Sequence, residues 1–408
     1  MVQGAKAPKI SFQTYLMTFL LIYLSSAFEL SVYTGTARLL MYLALFIMLV
    51  LICVLNHVNL RIPLASVIVF ILALLSNVYN TEHGKTFVIL ISYYVLAILF
   101  VGSIDVKKWL SAYAQVMFII AVASIIIYFL YIFVPRLLSI LPVVKNVNGQ
   151  ISHSVLVAIS PINNRNYGLF WEPGAFQTYL TLALLVELFQ NKMQSVFKVI
   201  VLCLALITTF STAGYLVLAL ILLCAFSDGI FNRAMHKPLR IFCIVLIVVA
   251  VVAYYIIQYS APSLYGTLFG KVERYFQTQS ADSSAGVRIS SFVDAFRAFF
   301  DNPIFGVGST NLKALFLAEY GHTMTTCTFA NWFAMFGFLY GSFMCYGLYS
   351  FTKAFSEKIV TRILLFCVLL ACIASEDYVL NPSIIIWNLY GFSLANKQFI
   401  IWRRERRE

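Results

Sequence analysis

The segment Asn164-Arg165-Asn166-Tyr167-Gly168-Leu169-Phe170-Trp171-Glu172-Pro173-Gly174-Ala175-Phe176 sets an arginine and a glutamate between two apolar runs. Proline is tolerated in the first turn of a helix, where its missing N–H has no partner to lose, so Pro173 marks the start of a helix with Arg165 just ahead of it. A guanidinium there can grip a phosphate through its planar fork. The alternative is an interfacial arginine neutralised by lipid or by Glu172, and this segment alone does not choose between them. Arg288 borders the apolar stripe of a second segment and has no acidic neighbour at helical spacing, which makes it the better second anion ligand. Arg297 is secondary, because Asp294 and Asp301 stand at i−3 and i+4 from it. His322, beside Gly321 and ahead of Thr323, Thr325 and Thr326, stands where a long polar stretch enters an apolar run. An imidazole titrates near neutral pH and can act as a general base there. Glu376 and Asp377 share a late turn and receive no role.

These residues are carried by a strongly apolar chain. Of 408 residues, 62% are hydrophobic and 11% charged, against roughly 25% charged in soluble domains. Mean hydropathy is +0.90. A helix rising 1.5 Å per residue crosses roughly 30 Å of hydrocarbon in about 20 residues. Runs near that length recur throughout, and the sequence predicts an all-α polytopic membrane protein forming one integral membrane domain over 1–408. About twelve spans are expected, near 12–30, 38–55, 62–79, 86–103, 110–134, 174–190, 197–211, 213–228, 241–258, 323–351, 362–375 and 383–400. The seventh and eighth are separated by so little that one bent hairpin is an alternative.

Placing both termini in the cytoplasm puts most of the 28 lysines and arginines inside, and most of the remainder falls in two long extracytoplasmic segments, about 135–173 and 259–322. The net charge of +12 is therefore a topological and lipid-headgroup signal, and nucleic acid is not an expected partner. The eight cysteines form no Cys-x-x-Cys pair, no Asp-x-Asp occurs, and no His/Asp/Glu cluster has metal-ligand spacing, so neither metal nor cofactor is expected. From Arg288 to Asp301 the residues Ile289, Phe292, Val293, Phe296, Phe299 and Phe300 recur at helical spacing, which predicts a helix on the outer surface or over the bundle mouth. No Asp, Glu, Lys or Arg stands in the middle of a span, where an ion-coupled carrier generally needs one.

Several of these features together resemble the Wzy-type O-antigen and capsular polysaccharide polymerases. They are Arg165-Asn166-Tyr167-Gly168-Leu169-Phe170-Trp171-Glu172-Pro173, Ser211-Thr212-Ala213-Gly214, Arg288, Asp301-Asn302-Pro303-Ile304-Phe305-Gly306-Val307-Gly308, and Gly321-His322 leading to Gly337 and Gly341. The O-antigen ligases share much of the pattern. The resemblance implies a GT-C-like fold and an inverting, metal-independent glycosyltransferase. Its substrates would be polyprenyl-diphosphate-linked oligosaccharides, outside the bacterial cytoplasmic (inner) membrane, with membrane lipids and a chain-length regulator protein as further partners. On that pattern Arg165 and Arg288 match the arginines of the two large outer loops and hold diphosphate, while His322 or Glu172 takes the acceptor proton. The chain departs from the family at Ser211-Thr212, where the family often has Ser-Arg or Ser-Lys, and at His322-Thr323, where it often has His-Asn. A ligase and, further off, a lipid-linked oligosaccharide flippase are the rival readings.

Overall fold

Each expected apolar run in the described part of the chain folds as a helix. The computed structural model describes residues 10–26, 34–55, 60–82, 84–138, 140, 144–145, 151–152, 158–160, 165–229, 284–320, 326–395 and 399–402. The first helices are α1 (Phe12–Ser26), α2 (Thr34–Leu55), α3 (Leu64–Tyr79), α4 (Lys85–Ser103) and α5 (Val106–Phe133). The single-turn α6 (Pro135–Leu138) follows, then α7 (Pro173–Leu185), α8 (Val196–Thr208) and α9 (Thr212–Gly229). The later part has α10 (Ser284–Asp301), α11 (Ser309–Tyr320), α12 (Thr328–Phe351), α13 (Ile359–Ile373) and α14 (Pro382–Ala395). Thr86–Ser103 and Val106–Phe133 meet length and hydropathy thresholds for a membrane span, while six other apolar helices are shorter.

The structure revises the sequence expectation at the last span and in the segment 135–173. The expected ninth span, 241–258, lies outside the described residues, so the count of twelve is not established. The last span ends at Ala395 instead of running to 400, and β6 (Phe399–Trp402) pairs antiparallel with β1 (Leu60–Pro63). The polar Asn396 and Lys397 in the sequence mark that stop. The segment 135–173 contains two short antiparallel pairs, β2 (Val144–Lys145) with β3 (Ile151–Ser152), and β4 (Ala158–Ser160) with β5 (Arg165–Gly168), so the fold is mostly rather than wholly helical. The seventh and eighth spans are distinct helices, joined by a turn in which Phe210 has a φ of 47°.

The centre of the bundle is α7, α12 and α14. All of α7 is buried, as is α14 from Pro382 to Phe392. Lipid tails offer no hydrophobic contrast to leucine, so such helices must associate through close backbone approach and polar contacts. Both are present. A methyl group on Gly391 would collide with the Gly347 carbonyl, so α12 and α14 touch at their backbones. The Tyr94 and Tyr340 hydroxyls bond at 2.6 Å, and Tyr113 donates to the Tyr179 carbonyl at 3.0 Å. Outward, Ile47, Ile71, Ile119, Ile126, Leu216 and Leu223 form part of an exposed apolar belt.

Helix ends sort into two sets, as alternating spans require. At one end Tyr390 on α14 donates to the Ile104 carbonyl, and Gln190 donates to the Lys107 carbonyl. At the other, the Asn381 side chain joins Tyr179 to the Ser25 carbonyl, and Ser25 bonds Ser383. That second end also gathers the start of α7, the α3–α4 turn, α10 and α11.

The run Asn302-Pro303-Ile304-Phe305-Gly306-Val307-Gly308 is a pin into α12. Gly337 breaks that helix with φ 83°, ψ −179°, a conformation that L side chains rarely adopt. The break strands main-chain groups that the pin satisfies. Val307 N–H donates to the Ala334 carbonyl at 2.7 Å, Gly308 N–H to Met335 at 3.2 Å, and Phe338 N–H to Pro303 at 2.8 Å. Ser76 on α3 donates to the Phe305 carbonyl at 2.6 Å and locks the other side. In a membrane, irregular backbone survives only where protein satisfies it. The motif thus fixes α10, α11 and α12 as a unit.

α10 forms over the stretch whose spacing predicted it. It packs on α12 through Ser291, Ala295, Ala298 and Phe299, with Phe296 stacked on Phe333 at 6.0 Å. Ile289, Phe292, Val293 and Phe300 stay exposed. Its small residues face the protein, and its larger apolar ones form an outer fringe.

Candidate functional site

Four chain segments converge at the α7 N-terminus. The first is β5. Asn166 is fully buried and donates to Ser124 on α5 and Thr208 on α8, at 3.1 and 3.0 Å. That anchoring sets Arg165, the residue before it, against the end of α8. Its Nε donates to the Thr209 carbonyl and its Nη2 to the Phe210 carbonyl, both at 2.9 Å. Helix C-terminal carbonyls lack intrahelical donors, so this arginine caps α8 and steadies the α8–α9 turn. A guanidinium has five N–H donors, and the others remain for an anion.

The second segment is Trp171-Glu172, which enters α7. Glu172 takes the N-cap position with extended backbone, and Pro173 occupies the first turn as expected. Trp171 meets Tyr378 edge-on at 5.7 Å. The third segment is the α13–α14 turn. Its Glu376 carbonyl accepts from the Thr328 hydroxyl at 2.8 Å and from the Thr328 N–H at 3.3 Å, and Tyr378 N–H donates to that same hydroxyl at 2.6 Å. The Glu376 side chain is 6% exposed. Its carboxyl lies so close to α7 that a methyl on Gly174 would run into Oε1. Glu172, Trp171 and Arg288 are near enough to act on that carboxyl. Two acidic side chains therefore share the positive end of α7.

The fourth segment is α10, which supplies Arg288. This guanidinium is half-buried, and its charge acts on both Glu376 and Arg165. Among the described residues no hydrogen bond or ion pair holds it. Thr326 N–H reaches Ser291 at 3.4 Å, one turn further along α10, so the chain enters α12 beside this arginine.

Burial pushes Glu376 well above the usual carboxylate range, with the negative charge of Glu172 adding to the effect and Arg288 opposing it. For Arg165, burial lowers the pKa; Tyr167, Glu172 and Tyr215 oppose that, and Arg288 lowers it further. It remains cationic, since arginine does not discharge in proteins. The site holds two guanidinium groups and two carboxyl groups.

A stability effect follows from the Glu376 shift. In the unfolded chain a glutamate titrates near about 4.3. Folded Glu376 keeps its proton to higher pH, so between the two values the folded state binds more protons and stability falls as pH rises. Glu376→Gln keeps a neutral donor beside Glu172 and removes the titration. Thermal unfolding of the purified protein from mildly acidic to mildly alkaline pH should give a flatter profile for Glu376→Gln than for wild type. Equal slopes would show that Glu376 carries no extra proton.

Of the sequence-predicted site residues, Arg165, Arg288 and Glu172 are brought together. Arg297 is not among them. It bonds Asp294 at 2.9 Å with its side chain 71% exposed, a surface pair of small energetic weight. His322 lies outside the described residues, between Tyr320 and Thr326. Glu376 was the omission. Its only signals in the sequence were an acidic residue in a late turn and a glycine after Glu172-Pro173. Among the described residues no group of three or more His, Cys, Asp or Glu side chains could hold a metal ion.

The fold and site describe a helical membrane protein with a charged, tryptophan-walled centre at one end of its bundle. A family model described as O-Antigen ligase matches residues 197–330, from the start of α8 into the first turn of α12. The match covers Arg288, His322 and the pin, and leaves Arg165, Glu172 and Glu376 outside it. It supports the O-antigen ligase and polymerase superfamily without separating the two activities, and at that level implies lipid-linked oligosaccharide substrates. A search of curated proteins finds no match.

Proposed function

We propose that the chain is a polysaccharide polymerase, an inverting and metal-independent glycosyltransferase. It joins polyprenyl-diphosphate-linked repeat units on the outer face of the bacterial cytoplasmic membrane, with both termini inside. The observation that carries this reading is the meeting of Arg165 and Arg288, from separate segments, over one carboxyl pair at a helix N-terminus. Two guanidinium groups suit a diphosphate, and a carboxylate beside them suits uptake of the acceptor proton.

The reaction asks little more. An acceptor hydroxyl attacks the anomeric carbon of the donor sugar from the face opposite the diphosphate, forming a C–O bond as the anomeric C–O bond to phosphate breaks. The leaving diphosphate keeps the electron pair, and Arg165 and Arg288 stabilise its growing charge. The acceptor proton passes to Glu172, which stands near Glu376 at the start of α7. His322 is the other candidate base. Arg165 also caps α8, so it offers the diphosphate only part of its donor set.

The ligase reading, transfer of the finished glycan to lipid A core or another acceptor, is second, since the description of the matched family names that activity while the match itself does not separate the two. A flippase is third, because the charges gather at one end of the bundle. Removing the protein from a glycan-producing cell and resolving the surface glycan on a gel separates them. A single repeat unit on the acceptor supports polymerase, lipid-linked polymer that never reaches the acceptor means ligase, and no exported glycan means flippase.

A further inference from the structure

Beside Trp171 lies a cavity of about 320 Å³. Its walls come from α1, α3, α4, α11, α12 and the α13–α14 turn, and its size is at the lower end of the roughly 300–1,000 Å³ of small-molecule sites. The lining is mixed: Leu90, Met335, Phe336, Val379 and Leu380 supply apolar wall, and a set of polar side chains interrupts it. Thr86, Ser309, Lys313, Asp377 and Asn381 all face it, with Trp171 as the aromatic wall. A pocket for an isoprenoid tail would be lined by aliphatic side chains.

Several of these groups are already spent. Asn381 accepts from Tyr179 and from Ser383 N–H while donating to Ser25, and one Asp377 oxygen accepts from Val379 N–H. Lys313 differs, since among the described residues no hydrogen bond or ion pair holds its ammonium group. The wall that carries it is fixed: Glu82, itself 6% exposed, accepts from the N–H and hydroxyl of Thr310 in the first turn of α11. Lys313 is therefore presented from a helix pinned to the α3–α4 turn.

We propose that this cavity is a pyranose-binding subsite that seats a sugar of the lipid-linked substrate beside the diphosphate held by the two arginines. Trp171 joins the two halves. It stands near enough to Glu376 to act on its carboxyl on the charged side, and it forms part of the cavity wall. An aromatic face with nearby hydroxyl, amide and charged groups suits a ring that is apolar on its faces and polar at its rim. The assignment rests on the diphosphate reading above, and the test separates the two.

The probes are a short-chain polyprenyl diphosphate, bare or bearing one pyranose, titrated calorimetrically into the full chain in nanodiscs. Wild type should bind the glycosylated lipid more tightly. Lys313→Ala changes an exposed residue and should lower the ratio of the two affinities by about tenfold, the size of one charge-assisted hydrogen bond. Thr86→Trp, which fills the cavity from α4, should bring the ratio close to one. Equal binding of both lipids by wild type, or a ratio unmoved by both substitutions, overturns the subsite. The diphosphate reading is judged on the bare lipid alone: if Arg288→Ala binds it as wild type does, that reading fails, while the ratio still decides the sugar site.

Discussion

Cells carrying Arg288→Ala should make no polymer above background, with transfer by the purified protein down by at least about 10²–10³-fold, the cost of deleting one group that stabilises transition-state charge. The size follows from what this side chain is free to do. Among the described residues nothing binds its guanidinium, yet it lies half-buried where its charge reaches both Arg165 and Glu376. Its removal costs the fold no hydrogen bond with those residues, so expression and thermal stability should stay near wild type. Arg288→Lys should rescue poorly, because an ammonium cannot reproduce the planar fork. Arg165→Ala is a less discriminating variant, since it also strips the Thr209 and Phe210 carbonyls of their donor. Full-length glycan from Arg288→Ala cells, on a gel of surface polysaccharide, would remove Arg288 from the site.

That Arg288 could be chosen from sequence reflects a local rule. Arg297 has Asp294 one turn away and takes it as a partner, whereas Arg288 has no acidic residue at helical spacing. Glu172 was legible for a similar reason, standing directly before a proline that starts a helix. Glu376 was not, because its significance is a contact with a residue two hundred positions earlier, and spacing along one chain segment carries no trace of it. The missing term was Gly174. A side chain there would take the space of the Glu376 carboxyl, and such a requirement shows only when both helices are in place.

The fold divides in the same way. Long apolar runs dictate helices by hydropathy alone, and every expected span within the described residues is one. The strands of two to four residues escaped notice because the alternation of a β-strand needs more positions than they have. The break at Gly337 was invisible to hydropathy, since Phe336 and Phe338 continue the apolar run without interruption. The motif from Asn302 to Gly308 was read as a family mark, and its physical basis is that it supplies donors and an acceptor to the broken helix. Residues that satisfy another segment's backbone are specified by that segment, which single-chain periodicity does not record.

Glu172→Gln should separate binding from proton transfer more sharply than any other substitution in the site. The amide has the same shape, so the packing against α7 and the pocket for diphosphate should persist. What it lacks is the ability to take a proton. Loss of a positioned base costs about 10²–10⁴-fold in rate, and that loss should fall on the transfer step while affinity for a bare polyprenyl diphosphate stays within a few-fold of wild type. The contrast with Arg288→Ala is the useful part, since there both affinity and rate should fall. Single-turnover transfer measured beside equilibrium binding distinguishes the two patterns. If Glu172→Gln transfers at the wild-type rate, the acceptor proton goes elsewhere and His322 becomes the base to test, while the arginine pair keeps its role. If instead both rate and affinity collapse, Glu172 supports the arginines through its charge, and the carboxyl pair is then part of the anion site's electrostatics instead of its acid–base chemistry.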